Sequence, residues 1–242
     1  MIPPSSGVVG SSLNTGIQLR TGPHKGRLVM CMRRICKGSC PGPWQSFAAY
    51  SDDSSKTWRV SPFLEEGSTE CQVAELSNGD VYMSIRPYRE LLARSNGTRA
   101  SALSTDGGSS FSAVEFEPQL LNAGGVDGSV VTPGRPSRTV FFTHPDHIYQ
   151  RGTYPGGRSN LTLYKSMDDA QTWTPALDVY TKGAAYSSMA MLEMAHDKSS
   201  THSVRNNTSR SRGRCKVGVL FEKGVGYKTV SFVAFIAIST VC

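Results

Sequence analysis

The 242-residue sequence has no run of 18 apolar residues, so no segment is long enough to cross a bilayer as a helix. The apolar tail at 230–241 is short and broken by Ser and Thr, and reads as a buried strand. None of the six cysteines forms a C-x-x-C pair, which argues against a zinc site. His144 and His147 lack metal-ligand spacing and read as loop polars, so neither metal nor cofactor is expected. The opening Met1-Ile2-Pro3-Pro4 has neither the basic nor the apolar region of a signal peptide, and residues 1–15 contain no Arg, Lys, Asp or Glu. Acidic residues are also missing between Lys198 and Lys216, where six basic residues supply most of the formal net charge of +7. That stretch is rich in Ser, Thr and Asn and reads as a disordered surface insertion at 197–214. We read it as a solvated loop rather than a nucleic-acid-binding patch, with peripheral attachment to an anionic membrane surface left open.

What is present points to many short strands. Gly 24 and Pro 13 against 9% aromatic residues suit turns joining strands, and the length is compatible with one all-β domain over 1–242. An octet of the form S-x-D-x-G-x-[ST]-[WF] occurs at Ser104–Phe111, with imperfect copies starting at Ser51 and Ser166. This is an internal repeat. Each copy has the makings of a hairpin turn: Ser and Asp oxygens bond nearby N–H groups, Gly permits positive φ, and the aromatic packs across the bend. The octets are therefore assigned structure, not chemistry. Each follows another hairpin, and four such units start near residues 17, 71, 128 and 187, the second turning at Asn78-Gly79. Strand, turn, strand, link, strand, octet, strand is the plan of a propeller blade.

Counting along the strands places side chains. In the hairpin at 78–79, Glu70 and Arg86 face each other at the end away from the turn. Tyr186 and Glu222 hold the matching ends of the fourth hairpin. Arg158 precedes its octet by eight residues, which at about 3.3 Å per residue carries it to the far rim. Singly, each has an ordinary structural reading, such as a rim tyrosine or a cross-strand ion pair. Together, all five fall on one face.

These residues sit in segments that resemble the animal exo-α-sialidases, the lysosomal type above all. The matching segments are Glu70-Cys71-Gln72 through Glu75-Leu76 to Arg86, then Phe141-Phe142-Thr143-His144-Pro145 and Asn160-Leu161-Thr162-Leu163. Ala185-Tyr186-Ser187-Ser188 and Leu220-Phe221-Glu222-Lys223-Gly224 complete the series. The octet resembles that family's Asp box. The resemblance implies a six-bladed β-propeller, of which about four blades lie in this chain, around a pocket for sialic acid. It makes Tyr186 the nucleophile and Glu70 its base, in a retaining hydrolysis of terminal sialic acids. It makes Arg86 and Arg158 two of three arginines gripping the sugar's carboxylate, with Arg151 the rival for Arg158, and gives Glu222 a supporting place. The partners implied are sialylated glycoproteins, oligosaccharides or gangliosides.

The sequence departs from the family in one respect. The family's first arginine, in an R-[IL]-P segment, and its acid/base aspartate would stand before Gly16, and neither is found there. A truncated, impaired enzyme is expected; the alternative is a non-catalytic sialic-acid-binding or structural module. Four N-x-[ST] sequons, at Asn96, Asn160, Asn206 and Asn207, lean towards a lysosomal or secretory location, against a cytoplasmic or membrane-associated one. In an oxidising compartment, Cys31, Cys36 and Cys40 are candidates for a local disulfide.

Overall fold

A computed structural model describes residues 8–12, 15–35, 44–122, 125–148, 157–192 and 215–237. The described elements are all β apart from the five-residue helix α1 (Glu90–Arg94) and a 3-10 turn at Val225–Tyr227. The first sheet joins β1 (Val8–Ser11), β2 (Ile17–Gln18), β3 (Leu28–Ile35), β4 (Trp44–Ser51) and β5 (Arg59–Val60). The second is the meander β6 (Ser68–Glu75), β7 (Val81–Pro87), β8 (Thr98–Ser104) and β9 (Glu115–Leu121). The third runs through β10 (Ser129–Val131), β11 (Val140–Ile148), β12 (Arg158–Ser166), β13 (Thr174–Leu192), β14 (Cys215–Lys223) and β15 (Thr229–Ala237). This last sheet is two blades sharing one strand. β13 pairs with β12 as far as Gly183 and with β14 from Ala184 onward. The four expected units are thus four antiparallel blades of a partial propeller.

The blades pack face to face, and strand periodicity decides what is buried. Every residue of β6 is buried, because both its faces are covered. Val73 turns to the first blade, beside Val29 and Ala48, while Ala74 turns to the third, beside Val130 and Phe142. In β14, Val217, Val219 and Phe221 pack on Leu161 and Leu163 of the third blade, whereas Leu220, on the other face, is 47% exposed. The expectation of a buried tail strand needs correcting here. β15 is a strand, but Val230 and Phe232 are 61% and 60% exposed, because no described blade covers that face.

The three octets are built alike. The Ser hydroxyl donates to the Asp carboxylate two residues on, and it accepts the backbone N–H four residues on. The Asp accepts both the N–H and the hydroxyl of the following Thr or Ser. The Thr57 hydroxyl and N–H accordingly pull the Asp53 carboxyl down to about 2. Two consecutive residues in each turn have positive φ: Ser54-Ser55, Gly107-Gly108 and Asp169-Ala170. Only the middle copy uses glycine there. Ala170 sits at φ 66, where a Cβ costs roughly 1 kcal/mol. Ala170→Gly should therefore raise the thermal unfolding midpoint, and a lowered midpoint would show that Ala170's packing outweighs its strain. Phe111 and Trp173 pack against the blade before their own. Trp58 belongs to the first described blade and is 38% exposed.

Two further expectations change. The disulfide is not local: Cys31 pairs with Cys71, Cα–Cα 5.8 Å, and ties the first blade to the second. Cys36 and Cys40 lie outside the described residues, as do the insertion at 197–214 and Arg151. His144 and His147 stand in β11 rather than in a loop, and His144 is buried.

Candidate active site

Glu70 is 3% exposed at the start of β6, and its two oxygens are fully engaged. Oε2 accepts Nη1 of Arg86, across the hairpin, at 2.6 Å. Oε1 accepts the Tyr186 hydroxyl at 3.0 Å and Nη1 of Arg33 at 3.1 Å. Residues 116 positions apart thus meet because the innermost strands of the second and fourth blades converge on the axis. Arg158, at the start of β12, lies with its guanidinium carbon 5.4 Å from the Tyr186 ring centroid. Its Nη2 donates to the Gly125 carbonyl at 3.0 Å, and the Tyr227 hydroxyl holds its backbone. Glu222 and Tyr186, across β14 and β13, line a cleft of about 210 Å³ with Ser188, Leu220 and Val230. Four of the five side chains singled out in the sequence are linked to one another, and the fifth, Glu222, meets them only through the cleft it shares with Tyr186. Glu70, Arg86, Arg158 and Tyr186 form a contiguous set, and Glu222 stands at its edge.

Electrostatics set the resting state. Burial raises the Tyr186 phenol, and the charge of Glu70 and the hydrogen bond to it add to the rise; Arg158 and Arg86 pull it back only in part. The phenol is neutral at rest, with its proton already aimed at a carboxylate. Arg86 keeps a buried Nε without a hydrogen-bond partner among the described residues. The arrangement offers two guanidinium groups to an anion and one phenol, coupled to a base, to an electrophile beside it. Among the described residues, no group of three His, Cys, Asp or Glu side chains could hold a metal ion.

Counting missed Arg33. β3 runs from Leu28 to Ile35, and the period of two puts Arg33 on the same face as Val29 and Cys31. That alternation was the available signal.

Residues 8–222 match the family model described as BNR repeat-like domain. The chain belongs to that family. Its relatives are sialidases, bacterial and animal, which bears out the exo-α-sialidase resemblance. The sialidase of Micromonospora viridifaciens is 34% identical over 182 residues, covering 73% of this chain and 26% of its own length. Sialidase-2 of Rattus norvegicus is 27% identical over 201 residues, covering 81% and 47%. The chain thus spans less than half the length of these relatives. Among solved structures, the Hadza microbial sialidase Hz136 superposes with a TM-score of 0.69 at 20% identity, over 95% of this chain and 38% of that one. That likeness supports the propeller fold.

Proposed function

We propose that this chain carries the sugar-binding and nucleophilic part of an exo-α-sialidase that acts with retention on sialylated glycoproteins, oligosaccharides or gangliosides. The observation that carries the reading is the Tyr186–Glu70 hydrogen bond of 3.0 Å, set between Arg86 and Arg158. A sialic acid has a carboxylate on its anomeric carbon, so an anionic nucleophile would be repelled, whereas a neutral phenol is not. In the proposed step the Tyr186 oxygen bonds to the anomeric carbon as the glycosidic C–O bond breaks, and the phenol proton passes to Glu70. The departing oxygen takes its proton from solvent; water then displaces Tyr186, giving up one proton to solvent, while Tyr186 recovers its own from Glu70. Arg86 and Arg158 hold the carboxylate throughout, and Glu222 borders the cleft.

None of these five side chains supplies a proton to the departing sugar oxygen. Losing a general acid costs roughly 10²–10⁴ in rate, least for a leaving group that is already a stable anion. The chain alone should therefore cleave a fluorogenic aryl sialoside slowly, and sialyllactose far more slowly still. Tyr186→Phe should remove the aryl activity. Turnover that survives Tyr186→Phe would sink the nucleophile assignment. Binding without turnover would favour the alternative of a sialic-acid-binding module.

A lysosomal or secretory location goes with this reading, since the Cys31–Cys71 disulfide suits an oxidising compartment. Of the sequons, Asn96 is exposed, whereas the Asn160 amide is occupied by Asp146.

A further inference from the structure

Beneath the arginines lies a second charged layer. Arg99, in β8, is fully buried, with Nη1 donating to the Val126 carbonyl at 3.0 Å and Nη2 to the Ser84 hydroxyl at 3.2 Å. Its Nη2 faces the buried carboxylate of Asp127 at 3.7 Å, and its Nε has no partner among the described residues. Asp127 accepts the Gly128 N–H and the Ser12 hydroxyl, each at 2.9 Å, and Ser12 in turn accepts the Cys71 N–H, next to Glu70. The turn at 125–128 is thus anchored at consecutive residues. Gly125 holds Arg158, and a Cβ there would stand 3.2 Å from Nη2 of Arg86. The Val126 carbonyl meets Arg99 and also His144 Nε2 at 3.1 Å, and Asp127 joins the first three blades.

A buried ion pair gives little stability over a well-packed apolar filling, so what it secures is geometry. We propose that Asp127 and Arg99 are a buried positioning pair for the carboxylate clamp, holding the 125–128 turn where Gly125 spaces the guanidinium groups of Arg86 and Arg158. This rests on the reading of those arginines as a clamp. Neither residue of the pair touches the sugar.

Burial pushes the Asp127 carboxyl up to about 6; the Arg99 charge opposes the rise, the Glu70 charge adds to it, and the Ser12 and Gly128 hydrogen bonds oppose it. Between the ordinary carboxylate range and about 6, the folded chain keeps a proton that the unfolded chain has released. Stability attributable to this group is therefore present at acid pH and lost as pH rises through that window. A variant without the pair lacks that loss.

The test uses the double variant Arg99→Met/Asp127→Asn, which removes both charges, with Asp127→Asn alone as its companion. Binding is measured with the 2,3-unsaturated analogue of N-acetylneuraminic acid and with its methyl ester. The unaltered chain should prefer the acid, and the double variant should lose about tenfold of that preference. Its unfolding temperature at pH 7.5 should fall no lower than that of the unaltered chain. Without ligand, the Nε–H NMR resonances of Arg86 and Arg158 should shift in both variants. Full acid preference with unmoved resonances would overturn the positioning pair and leave the clamp standing. An unaltered chain that does not distinguish acid from ester would remove the clamp, and the pair's role with it.

Discussion

A sialyl fluoride bearing a second fluorine at C3 should label Tyr186 covalently. Fluoride leaves as a stable anion and needs no proton, so the first step asks nothing of a general acid. It asks only for a nucleophile, a base and a grip on the carboxylate, the three functions proposed for the residues gathered here. The phenol is held neutral by burial and by Glu70, so its proton must leave as the new bond forms, and Glu70 at 3.0 Å is placed to take it. The C3 fluorine disfavours positive charge at the anomeric carbon and slows the second step, so the adduct should accumulate. Intact mass spectrometry should show one sugar per chain, mapped to the peptide holding Tyr186. Tyr186→Phe should abolish the adduct, and Glu70→Gln should slow its formation by about 10²-fold, the scale of a lost general base. Labelling at another residue, or at equal rate in Glu70→Gln, would separate this rim from the chemistry assigned to it.

How much of this was readable in the sequence depended on whether the relevant contact lay within a blade or between blades. The hairpin at Asn78-Gly79 brings Glu70 against Arg86 by simple counting, and the structure pairs them at 2.6 Å. The Ser-Asp octets told the turns in the same way, because their hydrogen bonds close within seven residues. Contacts between blades had no such ruler. The cysteine spacing favoured a bridge among residues 31, 36 and 40, but the partner of Cys31 lies on the neighbouring blade at Cys71. His144 and His147 read as loop polars, and Pro145 between them removes a ladder donor. Even so, β11 passes through it and pairs Pro145 with Leu161. The tail was read as buried because it is apolar, yet whether Val230 and Phe232 are covered depends on what packs beside β15. Arg99 gave no sign at all: one arginine in a short strand between Thr98 and Ala100 looks like any surface cation, and only the stacking of the second blade on the third seals it in.

Arg86→Ala should damage recognition more than stability, and the two effects can be taken apart. Arg86 is the partner of Glu70 across the hairpin, so its loss leaves a buried carboxylate with Arg33 and Tyr186 alone. Breaking a fully buried pair costs about 3–5 kcal/mol; the Arg86 side chain is 19% exposed, so a cost of about 2 kcal/mol is expected. Affinity for the carboxylated sugar should fall by roughly 10²-fold, the scale of a lost charge-assisted contact in a desolvated site. Adding Glu70→Gln removes the stranded charge, so the double variant should regain much of the unfolding temperature and none of the affinity. Arg86→Lys keeps the charge but not the planar pair of donors that matches a carboxylate, and should stay at least tenfold weak. Calorimetric titration beside thermal unfolding reads both quantities on the same samples. If Arg86→Lys bound the acid as tightly as the unaltered chain, Arg86 would be only the structural counterion of Glu70, and the carboxylate would have to be held elsewhere.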